Sequence, residues 1–262
     1  MGLDRLDPKV RAVVEGAARR LTDEGAKAVL LTGSHARGRA SPDSDIDVFV
    51  VGDGPAEVHE VVEGRLVSIH WWTPEQARQR LSDPSSAFVA AFAWCDAEVV
   101  EDPLGVGAEL KQVALDWTWD AFGSEADSWA ADRLVALAEY VPKLERALEE
   151  SRCLDAAATR SHLALALAEV GAVVNRITAR SENGLWEAIV DSGDERWREL
   201  LTRALAAGDE DVSTSAEATV ELFRWLASAV EGTLQPAQRA VVEHVLERSG
   251  ERRAPLPLTR RG

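Results

Sequence analysis

Short apolar runs separated by polar loops fill the first hundred residues of the chain. Several of these runs are β-branched or aromatic and end at glycine or proline, which predicts buried strands of one sheet. Other stretches repeat their apolar residues at helical spacing. The predicted strands are 28–31, 48–51, 66–72 and 97–100, and the predicted helices are 8–21, 74–81 and 85–94. The segment 55–63 is acidic and its pattern favours neither type. These elements predict an α/β or α+β domain over residues 1–105.

The pattern changes after residue 107, where alanine, leucine, glutamate and arginine recur with a helical period and β-branched clusters vanish. The predicted helices are 106–119, 126–150, 155–179, 184–191, 195–207, 215–231 and 235–248. Pro142 lies inside the second of them and predicts a kink or break near 140–142. We therefore predict an all-helical domain over 106–250 and a disordered tail over 251–262.

The composition indicates which classes of ligand and partner such a protein favours. The formal net charge is −16. An acidic surface repels nucleic acid and attracts cations, so it favours a small cationic ligand, although acidity also serves solubility alone. The two cysteines, Cys95 and Cys153, lack the spacing of a zinc site and indicate reduced thiols. No apolar signal core is present, and no apolar run approaches the roughly 18 residues of a membrane span. We expect a cytoplasmic protein without a membrane partner.

The loop between the first two predicted strands carries the candidate chemistry. Its Gly33-Ser34 corner can offer backbone N–H groups and a hydroxyl to an anion. Asp45 and Asp47 are two apart on a strand and therefore share a face. Arg37, or a second arginine two residues later, adds positive charge. Each motif alone is explained by an ordinary turn, but carboxylates beside a phosphate-binding corner together predict a site for Mg²⁺ and a nucleotide.

These residues carry a family resemblance. Gly33-Ser34, Arg37 and Ser44-Asp45-Ile46-Asp47 resemble the signature of the nucleotidyltransferase superfamily that includes DNA polymerase beta. The resemblance implies an α+β fold, in which a small mixed-sheet nucleotidyltransferase domain precedes an all-helical C-terminal domain. It also implies that ATP is the nucleotide substrate and that Asp45 and Asp47 hold Mg²⁺ and act in catalysis. Gly33, Ser34 and Arg37 would contact the nucleotide phosphates.

The sequence departs from the superfamily pattern at one position. Members typically add a third carboxylate from a neighbouring strand, which here is the run 66–72. By strand phase, Ser68 and His70 share one face of that run. Ser68 therefore stands where the third carboxylate is expected, so either one metal is bound instead of two or catalysis is weak.

Residues in the helical half resemble one group within this superfamily. Glu139-Tyr140, followed by Lys143, is similar to a helix of kanamycin nucleotidyltransferase. On a continuous helix Glu139 and Lys143 share a face, a spacing that an ordinary surface ion pair explains equally well. The resemblance implies that Glu139 is the general base for the acceptor hydroxyl and that Lys143 contacts the phosphates. Among the tryptophans, we expect Trp72 and Trp119 to contact a ligand.

The resemblance implies an ATP- and Mg²⁺-dependent transferase that adenylylates a hydroxyl of a small cationic substrate. An aminoglycoside-type antibiotic is the expected acceptor, and antibiotic resistance the expected role. Related enzymes can place the active site between two subunits, so a homodimer is compatible with this interpretation. Two alternatives stay open: a nucleotide- or ligand-binding regulatory protein with reduced or no catalysis, and a transferase acting on a partner protein in an antitoxin-like pair.

Overall fold

The computed structural model describes residues 3–181, 184–191 and 194–253, the last three of these by their backbone only. Its contacts divide the chain into two units. The first consists of Met1–Ala121 and Thr178–Trp186, and the second of Phe122–Ile177 and Glu187–Gly262.

The first unit is a mixed sheet covered by helices. Its strands are β1 (Ala28–Thr32), β2 (Ile46–Val51), β3 (Glu57–Val62), β4 (Arg65–Trp72) and β5 (Glu98–Glu101). Its helices are α1 (Pro8–Asp23), α2 (Gly33–Ala36), α3 (Pro74–Ser82), α4 (Pro84–Asp96) and α5 (Val106–Leu115), with 3₁₀ turns at Leu3–Arg5 and Trp119–Ala121. The strands are ordered β3-β4-β2-β1-β5; β2 and β4 run parallel, and the other neighbours run antiparallel. The predicted α+β class is confirmed.

Local sequence explains where these helices begin. The Asp7 side chain accepts hydrogen bonds from the first amides of α1, at 2.9 Å from Lys9 N. Thr73 and Gln76 form a reciprocal capping box at the start of α3. The segment 55–63, which the sequence left open, contains β3, paired antiparallel with β4 at the edge of the sheet.

Strand alternation sorts the side chains of the sheet between two cores. Val48 and Ile69 lie in the core that α1 covers. Phe49 lies in the other core, with residues of α3, α4 and α5. Because β2 and β4 are parallel with Asp47 beside Ser68, both of these residues lie on the Phe49 side of the sheet. The predicted strand phase of Ser68 is confirmed.

The sheet unit continues beyond residue 105. Leu110 and Ala114 of α5 are buried in the core with Phe49. Their apolar surface needs the sheet as a partner, which explains why α5 belongs to this unit even though its sequence has the helical pattern of the second half.

The second unit is helical in the part that the structure describes. Its helices are α6 (Ser124–Leu137), α7 (Tyr140–Glu149), α8 (Cys153–Val174), α10 (Glu195–Ala204), α11 (Val212–Ala229) and α12 (Pro236–Arg253), and α9 (Gly184–Asp191) contains the boundary between the units. Helix α8 contacts α6, α7, α10 and α11. A Cβ at Gly171 would lie 2.4 Å from the Trp197 indole nitrogen, so this glycine lets the buried tryptophan of α10 pack against α8.

The predicted helix 126–150 is divided, as Pro142 indicated. The break falls at Ala138–Glu139, between α6 and α7. Pro142 is the third residue of α7, in the first turn, where a backbone N–H has no acceptor within the helix. Because α7 begins after the break, Pro142 interrupts no hydrogen bond of that helix and does not destabilise it.

The C-terminal end differs from its prediction. Helix α12 runs to Arg253, so residues 251–253 are helical and not part of a disordered tail. Its buried Ser249 hydroxyl accepts a hydrogen bond from Arg224 at 2.7 Å and contacts Glu145. The remainder of the predicted tail, 254–262, lies outside the described residues.

One described helix, α8, is long and apolar enough to cross a membrane by length and composition. The expectation that no run approaches that length is therefore wrong. Half of its most apolar window is buried, and four helices of its own unit contact it. Burial inside a helical core explains the same composition.

Candidate active site

The corner after β1 holds the first predicted site residues. Gly33 begins the one-turn helix α2 with φ +69°, a backbone conformation that favours glycine. A Cβ at this position would lie 1.8 Å from Asp47 Oδ2. The carboxylate of Asp47 therefore lies directly against the backbone of Gly33, and the position excludes any side chain.

The two predicted aspartates interact through their charges. Burial, and then the negative charge of Asp45, raise the pKa of Asp47 to about 6, while Arg37 opposes the shift. Burial and a second negative charge both disfavour the ionised form of Asp47, so a cation bound beside it would stabilise the carboxylate. The structure thus brings together Gly33, Asp45, Asp47 and the charge of Arg37 in one place.

This arrangement fits a divalent metal in part. Mg²⁺ prefers oxygen ligands and is commonly held by one or two carboxylates, with phosphate and water oxygens completing its shell. Asp45 and Asp47 supply two such carboxylates. Among the described residues, no group of three or more His, Cys, Asp or Glu is placed to hold a metal ion. The two carboxylates would therefore suit a metal whose remaining ligands are oxygens of a bound nucleotide and of water. The third carboxylate that is expected from the resemblance is absent from this set of ligands.

Ser68 lies beside Asp47 in the sheet register, at the position where the resemblance leads us to expect a third carboxylate. It is buried, and its hydroxyl lies 3.4 Å from Asp45 Oδ2, to which it donates. The same Oγ lies 3.1 Å from Nδ1 of His59, its register partner on β3. Glu57 Oε1 lies 3.3 Å from His59 Nε2. Sequence reasoning missed His59, although the polar and apolar alternation of Glu57–Val62 is a strand signal.

The loop from α2 to β2 is held by polar contacts. Arg37 Nη1 donates to the carbonyl oxygen of Arg180 at 3.2 Å. Ser41 N donates to Ser44 Oγ at 2.9 Å, which closes the turn before Asp45. Burial lowers the pKa of His35 in α2, and its Nε2 has no hydrogen-bond partner in the part of the chain that the structure describes.

The two tryptophans predicted to contact a ligand lie in aromatic clusters. The Trp72 ring is 4.6 Å from the Phe49 ring and 5.8 Å from the His70 ring, and Arg80 lies over it at 5.5 Å. The Trp119 ring is 5.2 Å from that of Trp117. Packing accounts for both positions, and a ligand contact stays a prediction.

Glu139 and Lys143 lie in the second unit. Lys143 Nζ is 3.0 Å from Glu139 Oε2, so the two residues do share a face. The side chains are 61% and 55% exposed, which leaves either group open to a ligand. Lys143 also lies over the Tyr140 ring at 4.8 Å. Their geometry is that of a surface ion pair, and the roles of base and phosphate contact stay predictions.

Comparisons with known proteins bear on the sheet unit. Residues 12–82 match the family model described as a nucleotidyltransferase domain. A crystal structure of a nucleotidyltransferase-like protein from Exiguobacterium sibiricum is similar in fold, with a TM-score of 0.52 and 14% identity over 92% of this chain and 80% of that one. No curated protein matches the chain. The matched segment runs from α1 to α3 and contains the glycine-serine corner, both aspartates and Ser68. Residues 12–82 are therefore a nucleotidyltransferase domain of the superfamily that their sequence resembles.

Proposed function

We propose that the protein is an ATP- and Mg²⁺-dependent nucleotidyltransferase that adenylylates a hydroxyl of a small cationic substrate, an aminoglycoside-type antibiotic. One observation carries the proposal. The Asp47 carboxylate lies against the backbone of Gly33, and it interacts electrostatically with the negative charge of Asp45 and the positive charge of Arg37. This contact supports the proposal because the carboxylates that we assign to the metal lie beside the corner that we assign to the phosphates.

In the proposed reaction the acceptor oxygen forms a bond to the α-phosphorus of ATP. The bond between that phosphorus and its bridging oxygen breaks, pyrophosphate leaves, and the acceptor proton passes to a base. Mg²⁺, when bound, would supply positive charge to the phosphate oxygens. Gly33 and Ser34 would orient the phosphates through backbone N–H groups and the hydroxyl, and Arg37 would add charge-assisted hydrogen bonds.

The roles proposed for the second unit rest on the resemblance. Glu139 would accept the proton of the acceptor hydroxyl, and Lys143 would contact the phosphates. A general base contributes about 10²–10⁴-fold to the rate, so Glu139→Gln should lower kcat by that factor and leave KM for ATP unchanged. Lys143→Met should raise KM for ATP. Glu217→Gln, at an exposed position of α11, is the matched control.

The acceptor assignment rests on charge. The net charge of −16 attracts a polycation and repels nucleic acid.

We also propose that the protein is located in the cytoplasm, where ATP is available, and that it forms a homodimer. Leu154 and Leu165 of α8 are 82% and 47% exposed, and they lie on one face of the helix because eleven residues make close to three turns. Light scattering on the purified protein tests the dimer.

The test of activity is pyrophosphate release with ATP, Mg²⁺ and a panel of aminoglycosides and lincosamides. We expect turnover with at least one acceptor and its loss in Asp47→Asn. Asp43→Asn, at an exposed position in the same loop, should retain activity. Turnover that survives Asp47→Asn would refute the proposed metal site, and no turnover across the panel would refute the acceptor assignment.

A second candidate is favoured by Ser68. A buried hydroxyl in place of the third carboxylate suits a protein that binds a nucleotide or ligand for regulation, with reduced or no catalysis. Calorimetry with ATP and Mg²⁺ separates the two functions. Binding without pyrophosphate release for any acceptor supports regulation, whereas acceptor-dependent release supports the transferase.

A further inference from the structure

A pocket of about 370 Å³ lies in the first unit beside the C-terminal end of α2. Its basic lining residues are Arg5, Arg37, Arg39, Lys111 and Arg180. This concentration of positive charge occurs in a chain with 45 acidic and 29 basic residues. Among the described residues, neither Gly33-Ser34 nor the two aspartates line the pocket, and Arg37 belongs both to the pocket and to the candidate active site.

Two acidic residues in the pocket neutralise two of these charges. The Arg5 guanidinium pairs with Glu98, and Arg180 Nη1 lies 3.6 Å from Asp96 Oδ1. The other basic residues form no ion pair with a carboxylate among the described residues. Lys111 Nζ donates to the Ala97 carbonyl at 2.5 Å. Three positive charges without a carboxylate partner therefore line one pocket, and they favour an anionic ligand.

The same two acidic residues keep acceptor atoms for the ligand. Asp96 Oδ2 and Glu98 Oε2 are buried and have no hydrogen-bond partner in the described part of the chain. The Glu98 side chain is only 11% exposed. Both residues line the pocket, and the Asp96 side chain is 22% exposed, so a hydroxyl of the occupant can donate to the exposed part of this carboxylate.

The pocket wall is ordered by its own contacts. Arg5 also donates to the carbonyl oxygen of Ala36, at the end of α2. Gly38 has φ +67°, and a Cβ there would approach Arg5 Nη1 to 3.3 Å. The contacts with Ala36 and Glu98 hold the Arg5 guanidinium between α2 and β5 in advance, which reduces the entropy lost on binding.

We propose that this pocket binds a phosphate ester of a sugar, with the phosphate on Arg39 and Lys111 and the sugar hydroxyls on Asp96 and Glu98. Such a pocket repels a polycation, so it is not the place of the proposed acceptor. The proposal also goes beyond nucleotidyl transfer, because binding here requires neither a divalent cation nor the paired aspartates.

The test is titration calorimetry of the full chain with ribose 5-phosphate in EDTA. A charged hydrogen bond to phosphate is worth about tenfold or more in affinity, so Arg39→Gln and Lys111→Met should each weaken binding by at least that factor. Arg39 is exposed, so its variant should fold even if the loss of the Lys111 contact destabilises the protein. Arg19→Gln, at an exposed position of α1, should bind as the wild type does. No binding by the wild type, or equal binding by Arg39→Gln and Arg19→Gln, would overturn the proposal.

A second comparison separates the sugar ester from free phosphate. Asp96→Asn should lower the preference for ribose 5-phosphate over inorganic phosphate and pyrophosphate. An unchanged preference would refute the hydroxyl contacts, and with them the sugar ester as the ligand. Retained binding in Asp47→Asn is expected, and its loss would assign the ligand to the active site instead. Pyrophosphate release and calorimetry are independent readouts, so the failure of one proposal does not imply the failure of the other.

Discussion

Replacement of Asp47 by asparagine should stabilise the metal-free protein at neutral pH. In the folded protein the pKa of this carboxyl is raised from 3.8 to about 6, first by burial and then by the charge of Asp45. Asparagine keeps the shape that fits against Gly33 and cannot ionise. The variant therefore removes a charge that folding disfavours, while it removes the proposed metal ligand.

The magnitude follows from the size of the shift. At about 1.36 kcal/mol per pKa unit, the step from 3.8 to about 6 corresponds to about 3 kcal/mol. Because the Asp47 side chain is only partly buried, solvent screens part of this effect, and we expect a gain of about 1–2 kcal/mol.

The pH dependence has a defined sign. Between pH 3.8 and about 6 the folded wild type holds a proton that the unfolded chain has lost, so its stability falls as the pH rises through this window. Above pH 6 the full cost of the charge is present. The difference between Asp47→Asn and wild type should therefore be largest above pH 6 and shrink as the pH falls towards 4.

Urea denaturation in EDTA, followed by tryptophan fluorescence at pH 5, 6 and 8, measures this difference. Asp43→Asn, exposed in the same loop, should change the free energy of unfolding by less than about 0.5 kcal/mol at every pH. An Asp47→Asn variant that is less stable than wild type at pH 8, or equally shifted at all three values, would refute the reasoning.

Three further predictions follow from the site and the helix break. Ser68→Asp places a carboxylate beside Asp47 in the sheet register, and electron paramagnetic resonance titration with Mn²⁺ and a nonhydrolysable nucleotide should count one more bound ion than in wild type. Gly33→Ala adds a Cβ at positive φ against Asp47 Oδ2; thermal unfolding should show a loss of more than about 2 kcal/mol, and an unchanged melting temperature would contradict the contact. Pro142→Ala, in the first turn of α7, should change the free energy of unfolding by less than about 1 kcal/mol in urea, since no helical hydrogen bond is regained there.

Much of the fold follows from local sequence. The β-branched runs mark β1, β2 and β4, and helical spacing marks most helices, because these preferences depend on residues a few positions apart. Pro142 indicated the division between α6 and α7 for the same reason. The sequence pattern does not decide whether the segment of β3 is a strand or a helix, because it is acidic and half exposed. It forms a strand by pairing with β4, which supplies its hydrogen bonds.

The candidate site was predictable where its parts are close in the chain. Gly33, Ser34, Asp45 and Asp47 form a local motif, and the alternation of a strand placed Ser68 on the matching face. His59 was missed, because its contact with Ser68 Oγ depends on the register of β3 against β4. Register is a long-range property that no short window contains.

The sequence by itself determined the local arrangement of candidate groups in this protein: a glycine-serine corner, two carboxylates two residues apart at the start of β2, and a serine where the resemblance leads us to expect a third carboxylate. The tertiary structure decided what surrounds those groups. Burial and the neighbouring charge set the pKa of Asp47, and close approach of its carboxylate explains why residue 33 is glycine. The basic pocket joins residues from position 5 to position 180. Desolvation and charge proximity depend on distance in space, and only the folded chain brings such residues together.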